Sequence, residues 1–107
     1  MKISVIGGTG PQGLGIAERL AIAGLDVIVG SRKEEKALDV VAKAKEDLAD
    51  YDLSLVGMAN EDAAKEGDVL IITVPLAAQK PTVEGIKEFC TDKIVMDATV
   101  PLETATS

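Results

Sequence analysis

The fold is decided by the stretch Ile3-Ser4-Val5-Ile6-Gly7-Gly8-Thr9-Gly10-Pro11-Gln12-Gly13 near the N-terminus. Its first four residues are a mainly apolar run that stops at two glycines, which predicts a short buried β-strand. A helix is expected to begin at Pro11, because the missing N–H of proline costs nothing in a first helical turn. Between strand and helix, Gly8, Gly10 and Gly13 match the pattern G-x-G-x-x-G, which gains weight from this setting.

Each glycine of the pattern has a mechanical reason in a unit that binds a dinucleotide. Gly8 permits the tight turn, Gly10 lets a pyrophosphate approach the backbone, and Gly13 lets the helix pack closely on the strand. Gly15 is expected to assist this packing. The helix start then directs its free N–H groups and its positive dipole end at the phosphates. A plain glycine-rich turn is the alternative, but it does not account for three glycines at these offsets.

Beyond this unit the chain alternates apolar strands with amphipathic helices. The predicted strands cover residues 3–6, 27–29, 53–58, 69–74 and 94–96, and the predicted helices cover residues 11–23, 33–51, 60–65 and 78–90. Such alternation implies right-handed crossovers, so we predict one α/β domain over residues 1–107 with a doubly wound parallel sheet. The expected architecture is Rossmann-like, with three α/β/α layers and strand order 3-2-1-4-5.

Individual residues are expected to set the helix ends. Gly24 is predicted to stop the first helix. The second helix is expected to reach Tyr51, because apolar residues recur at steps of three and four from Ala37 onwards. Asn60 is predicted to cap the third helix with its side chain. Pro81 is expected in or near the first turn of the fourth helix.

Composition limits the classes of function. Apolar residues make up 47% of the chain but aromatic residues only 2%, so the core is expected to be aliphatic, as in parallel sheets buried on both faces. A formal net charge of −7 argues against a nucleic-acid partner. Histidine is absent and Cys90 is the single cysteine, so neither a disulfide nor a metal site is expected. Without a membrane-length apolar run or a signal peptide, a cytoplasmic protein is expected.

The end of the second strand discriminates between NAD and NADP. NAD-binding units usually carry a carboxylate there, whereas an Arg accommodates the 2′-phosphate of NADP. Here the segment reads Val29-Gly30-Ser31-Arg32-Lys33, without a carboxylate. Arg32 and Lys36 are four residues apart and share a helix face, and a guanidinium can grip a phosphate through two hydrogen bonds. We therefore predict NADP as the cofactor, with Arg32 and Lys36 at its 2′-phosphate.

A purely structural interpretation of this segment stays open. Ser31 and Glu34 spell S-x-x-E, which is the pattern of a helix capping box. In that case Ser31 caps the second helix, and Lys33 and Lys36 are solvated charges paired with neighbouring glutamates. We assign Lys33 to this structural role and Arg32 to the phosphate.

The nicotinamide half is expected beyond strands one, four and five, because a dinucleotide crosses the carboxyl ends of the strands. Strands four and five end in residues 73–76 and 98–101, where Pro75 and Pro101 stiffen the chain and small apolar residues offer a flat wall for a ring. Loop packing is an equal alternative for any one of these residues. Asp97 is interpreted as structural, since hydride transfer between two redox cofactors needs no proton relay, and no catalytic residue is assigned.

Several segments taken together carry a family resemblance. Residues 7–13, the segment Val29-Gly30-Ser31-Arg32 with Lys36, and residues 57–64 resemble the NADPH-dependent reductases of coenzyme F420, which are archaeal deazaflavin:NADP oxidoreductases. The resemblance extends from Met1 to about Pro101. It implies three sets of contacts with the cofactor, one of which places Ser31, Arg32 and Lys36 at the 2′-phosphate. The residues implied at the pyrophosphate are Thr9, Gly10, Pro11 and Gln12, and those implied at the nicotinamide are Val74, Ala78 and the segment around Val100.

The resemblance also implies an activity, namely reversible hydride transfer between the reduced deazaflavin and C4 of the nicotinamide. Family members continue into a smaller C-terminal part that helps to hold the deazaflavin and forms a homodimer. We therefore expect this chain to be a truncated, monomeric domain that binds NADP(H) with little turnover. Two alternatives stay open: another NADP-dependent reductase (pyrroline-carboxylate reductase, ketopantoate reductase or β-hydroxyacid dehydrogenase), and a non-catalytic nucleotide-sensing domain.

Overall fold

The computed structural model describes residues 1–73 and 76–97, and within them the chain alternates strands and helices as predicted. The strands are β1 (Lys2–Ile6), β2 (Asp26–Ser31), β3 (Leu55–Ala59), β4 (Val69–Ile72) and β5 (Ile94–Asp97). The helices are α1 (Pro11–Ile22), α2 (Glu34–Asp47), α3 (Asn60–Glu66) and α4 (Leu76–Ile86), which continues into a 3₁₀ turn, Lys87–Phe89. All the strand pairs are parallel and their order is β3-β2-β1-β4-β5, which confirms the predicted sheet.

Two aliphatic clusters, one on each face of the sheet, hold the three layers together. Helices α1 and α2 cover one face of β1, β2 and β3, and α3 and α4 cover the other face. Neighbouring residues of β1 serve both clusters, since Val5 belongs to the first and Ile6 to the second. Burying each such side chain stabilises the fold by about 1.5–3 kcal/mol. This two-sided burial explains why the strands are continuous apolar runs.

The register brings the functional ends of the strands to one edge of the sheet. Val5 pairs with Val29 on one side and with Ile71 on the other, while Ser31 pairs with Ala59. The turn after β1 is tied to both neighbours of that strand. The Gly8 N–H donates to the Gly30 carbonyl at 2.9 Å, and the Thr73 N–H donates to the Ile6 carbonyl at 3.0 Å.

Helix α1 ends just before Gly24, the residue predicted to stop it. Gly24 has a φ of +94°, a conformation that favours glycine. Its N–H donates to the Ala21 carbonyl at 3.0 Å, and the Leu25 N–H donates to the Leu20 carbonyl at 3.2 Å. These two bonds form a Schellman motif, which satisfies carbonyls that a helix end leaves unpaired.

Helix α2 is shorter than predicted, because it ends at Asp47 rather than at Tyr51. The backbone leaves the helical region at Leu48 (φ −111°, ψ 40°), and a turn closes from the Tyr51 N–H to the Leu48 carbonyl at 2.9 Å. The spacing that suggested four more residues is real, but Tyr51 is exposed. The chain turns there so that Leu53 and Leu55 can enter the core.

The prediction for helix α4 was wrong at its start. The helix begins at Leu76, so Pro81 lies inside it rather than in or near its first turn. An internal proline removes one helical hydrogen bond, so proline alone predicts a helix start better than a helix middle. Strand β4 ends at Ile72, shorter than predicted. None of the helices within the described ranges combines the length and apolar character that crossing a bilayer requires.

Candidate functional site

The glycine turn lies between β1 and α1 at the carboxyl edge of the sheet. Gly7 has a φ of +75°, so the residue whose conformation needs glycine is Gly7 and not Gly8 as predicted. Gly8 is required for a different reason. A Cβ on Gly8 would lie 2.9 Å from the Val5 carbonyl oxygen and 3.1 Å from Val29 Cγ1. One glycine therefore makes the turn, and the next lets the turn lie against the sheet.

Gly13 brings α1 against this turn. A Cβ on Gly13 would lie 2.5 Å from Thr73 Oγ1 and 2.8 Å from Gly8 Cα, so close packing is confirmed, with the turn and the end of β4 as its partners. The expected contribution of Gly15 was wrong, because a Cβ there would have no neighbour within 4 Å.

Gly10 presents an open face at the start of α1. The nearest atom to a Cβ built on Gly10 is the Gly7 carbonyl oxygen, at 4.0 Å. Gly10 is also the N-cap of α1 and makes no side-chain cap hydrogen bond, and Pro11 occupies the first helical position. Thr9 is half-buried in the turn and Gln12 is exposed on the first turn of the helix. An open helix start of this kind is suited to an anion.

The capping box that was left open as an alternative for α2 does not form. Ser31 is the last residue of β2, and the N-cap of α2 is Lys33, which makes no side-chain cap hydrogen bond. Pairing with Ala59 holds Ser31 in the sheet, two residues too early to cap. Its buried Oγ instead accepts a hydrogen bond from the Lys33 N–H at 3.3 Å.

Three exposed basic side chains follow Ser31, namely Arg32, Lys33 and Lys36. The structural alternative paired the lysines with neighbouring glutamates, but the ion pair found among the described residues is Lys2–Glu66 at the opposite edge of the sheet. Among the described residues, no carboxylate forms an ion pair with Arg32. In an acidic chain, this leaves a local positive charge beside the glycine turn.

A cleft of about 270 Å³ opens beside Arg32, between the ends of β2 and β3 and one face of α4. Its walls combine apolar and polar side chains, as sites for small molecules do. The lining residues are Ser31, Arg32, Ala59, Asn60, Glu61, Pro81, Thr82, Gly85 and Ile86. The sequence indicated Ser31 and Arg32 but not the wall from α4, because the predicted helix contained Pro81 and Ile86 without any signal that it faces the ends of β2 and β3.

Asn60 was assigned the wrong role. Ala59 is the N-cap of α3, and Asn60 is the first residue inside the helix. The Asn60 side chain is 8% exposed. Its Oδ1 accepts a hydrogen bond from the Gly7 N–H at 3.2 Å. A polar residue directly after a parallel strand was the available signal for a site residue, but the same signal also fits a helix cap.

The nicotinamide side is described only in part. Val74, Pro75, Val100 and Pro101 lie outside the described residues, and Ala78 falls within α4. The buried Thr73 hydroxyl donates to the Ile6 carbonyl at 3.0 Å and so holds the residue after β4 against the last residue of β1. Within the described ranges, no group of three or more potential ligands from His, Cys, Asp and Glu could hold a metal ion.

The sequence matches a protein-family model described as NADP oxidoreductase, coenzyme F420-dependent, over residues 2–101. It is 50% identical over 103 residues to the F420-dependent NADP reductase of Methanothermobacter thermautotrophicus, covering 96% of this chain and 44% of that protein. The reductase of the same name from Methanocaldococcus jannaschii is 47% identical over 107 residues, covering 98% of this chain and 48% of that protein. The chain thus spans about half the length of the curated relatives it matches.

Solved structures share the fold. The lactate dehydrogenase of Cryptosporidium parvum, in complex with lactic acid and nicotinamide adenine dinucleotide, is 22% identical with a TM-score of 0.74, covering 94% of this chain and 37% of that one. The minor L-lactate dehydrogenase of Enterococcus mundtii is 18% identical with a TM-score of 0.75, covering 94% and 38%. At these identities the likeness establishes the doubly wound fold alone.

Proposed function

Because this chain belongs to the family of coenzyme F420-dependent NADP oxidoreductases, we propose that it binds NADP(H) at the carboxyl edge of its sheet, as the nucleotide-binding half of an enzyme that transfers a hydride between coenzyme F420 and NADP. The observation that carries the proposal is Arg32, which lines a cleft beside the open glycine turn without a described ion-pair partner. Family membership favours this function over the other reductases and over a nucleotide sensor.

The pyrophosphate would lie over the glycine turn. Gly10 leaves the space that a close approach of phosphate to backbone requires. The start of α1 supplies the positive end of a helix dipole, and Thr9, Pro11 and Gln12 border the same position. Because Gly8 and Gly13 fix the turn against the sheet, this cradle exists before the ligand arrives and costs little ordering entropy.

The 2′-phosphate would lie at the end of β2. The Oγ of Ser31 already accepts a hydrogen bond from the Lys33 N–H, so its own O–H stays available to donate to a phosphate oxygen. Arg32 offers paired donors from the rim of the cleft. Lys36 follows one helical turn later on α2 and adds positive charge. The cleft between β2, β3 and α4 would receive the adenine, with Pro81 and Ile86 as apolar walls.

The chain contributes binding and orientation to the reaction. When bound, the nicotinamide accepts or donates the hydride at C4, and no acid–base residue is needed. The ring would lie beyond β1 and β4, bordered by Val74, Pro75, Ala78, Val100 and Pro101. Since the relatives are about twice as long, we place the coenzyme F420 site and a homodimer contact in their unmatched half. We expect the residues described here to bind NADP(H), and the enzyme to be cytoplasmic.

The test is a calorimetric titration of the chain with NADPH and with NADH at one moderate salt concentration. A charge-assisted contact to the 2′-phosphate contributes about 1.5–3 kcal/mol, so NADPH should bind roughly 10- to 150-fold more tightly. Arg32→Ala should abolish most of this preference. Lys33→Ala removes the same charge from the adjacent residue, which does not line the cleft, and should change it much less. Equal affinities for the two cofactors in the unmodified chain would refute the assignment of Arg32.

A further inference from the structure

Asn60 stands where the two cofactor-binding segments meet. It follows Ala59, whose pairing with Ser31 joins β3 to β2. Its side chain lines the cleft together with Ser31 and Arg32 and reaches the glycine turn through the hydrogen bond from Gly7. One buried side chain therefore contacts both the segment proposed for the pyrophosphate and the segment proposed for the 2′-phosphate.

The orientation of the Asn60 amide is set by its partner. The Gly7 N–H can only donate, so the atom that faces it must be the amide oxygen, Oδ1, at 3.2 Å. Space for this oxygen comes from Gly30, because a Cβ there would lie 2.7 Å from Oδ1. The missing side chain of Gly30 thus makes room for the Asn60 amide.

The other half of the amide is left for the cleft. Within the described part of the chain, the Asn60 hydrogen bond is the one to Gly7, and no buried side-chain nitrogen or oxygen lacks a partner. The amide nitrogen is therefore accessible rather than sealed in the core. Asn60 lines the cleft, and its amide nitrogen carries two N–H donors for which no hydrogen-bond partner is found among the described residues.

We propose that Asn60 is a cofactor-binding residue with two functions: its Oδ1 holds the glycine turn in place, and its NH₂ group donates to the ribose or phosphate oxygens of NADP. The inference rests on the proposed function. An aspartate could accept the same bond from Gly7, but it would have no donor and would place a negative charge beside the phosphates. The neutral amide supplies an acceptor to the turn and a donor to the cofactor from one side chain.

The substitution that separates the two functions is Asn60→Asp, which has nearly the same shape and keeps the acceptor for Gly7. We expect its melting temperature to stay close to that of the unmodified chain, while its affinity for NADP⁺ falls about 10- to 100-fold in calorimetry. Asn60→Ala removes both groups and should lower the melting temperature and the affinity together. Thr91→Asp adds the same charge in an exposed turn before β5, at the opposite edge of the sheet, and should leave both quantities unchanged.

A second measurement uses the unmodified protein. Asn60 is the only asparagine in the sequence, so selective ¹⁵N-asparagine labelling gives a single side-chain NH₂ pair in an NMR spectrum. Saturation with NADP⁺ should shift this pair. If NADP⁺ binds and neither the NH₂ pair nor the Asn60→Asp affinity changes, the role of Asn60 is refuted while the proposed function stands. If the unmodified chain binds no NADP⁺, the proposed function itself fails.

Discussion

Among single residues, Gly13 tests how closely the cofactor cradle is packed. Gly13→Ala would place a Cβ 2.5 Å from Thr73 Oγ1 and 2.8 Å from Gly8 Cα, and a backbone atom cannot rotate away. We expect α1 to shift, with a loss of about 1–3 kcal/mol in the free energy of unfolding in urea and weaker binding of NADPH.

The matched control for Gly13 is Gly15→Ala, one half-turn further along α1. A Cβ at residue 15 meets nothing within 4 Å, and alanine is the better helix former, so this variant should be more stable by about 0.5–1 kcal/mol. Equal destabilisation by both substitutions would contradict the packing argument, because the loss of stability would then not depend on the space around the added Cβ.

For single residues, the sequence predicted the positions of the site residues better than the structural role of each one. The glycine offsets were enough to locate the turn, yet the positive φ belongs to Gly7 and the close contact to Gly8. Ser31 and Asn60 are both common helix-capping residue types, and neither caps a helix here. Their roles depend on neighbours from distant strands, such as Ala59 beside Ser31 and Gly7 beside Asn60, which local spacing does not encode.

Among the elements, α3 depends on a cation supplied from outside the helix. The Nζ of Lys93 donates to the Lys65 carbonyl at 2.7 Å and also to the Ala64 carbonyl, so a positive charge sits at the negative end of the helix dipole. Lys93→Met keeps the apolar stem but removes the charge. We expect a loss of about 1–2 kcal/mol of unfolding free energy in urea.

The same substitution at the exposed Lys87 serves as the control for Lys93 and should have almost no effect on stability. Lys93 precedes β5, at the edge of the sheet opposite the cleft. Calorimetric affinity for NADPH should therefore stay unchanged in Lys93→Met. A large loss of affinity would mean that α3 transmits strain from its C-terminus to Asn60 at its start.

The elements themselves were predictable to different degrees. Strands and the first helix follow from apolar runs and from Gly24, because local backbone preference and burial agree there. The end of α2 and the start of α4 were not predicted correctly from the sequence. Tyr51 continues the apolar spacing of α2 but is exposed, and Pro81 lies inside α4 rather than near its start. In both places the path to the next strand overrides local preference.

For the whole molecule, alternation of strands and helices was sufficient to predict the parallel sheet, because handedness leaves few other arrangements. The strand order followed from the glycine turn, which is typical of dinucleotide-binding sheets. The cleft was not predictable in the same way. It forms where the ends of β2 and β3 face Pro81 and Thr82 of α4, about fifty positions beyond the end of β2 and about twenty beyond the end of β3. How closely that helix approaches the strand ends depends on packing, which sequence periodicity does not determine.

A site assembled from such distant segments exists only in the folded state, so its ligand should stabilise the whole domain. Adenosine 2′,5′-bisphosphate carries the phosphates and the base that the described residues are proposed to bind. At about 100 times its dissociation constant it should add about 2.7 kcal/mol to the free energy of unfolding, which is roughly a 10–20 °C rise in melting temperature for a domain of this size.

The control ligand is nicotinamide mononucleotide, which at the same concentration should raise the melting temperature much less. In Arg32→Ala, the shift with the bisphosphate should shrink towards that small value. If the mononucleotide stabilised the chain as much as the bisphosphate, the described residues would not be the principal binding surface, and the cofactor would be held mainly from its nicotinamide end.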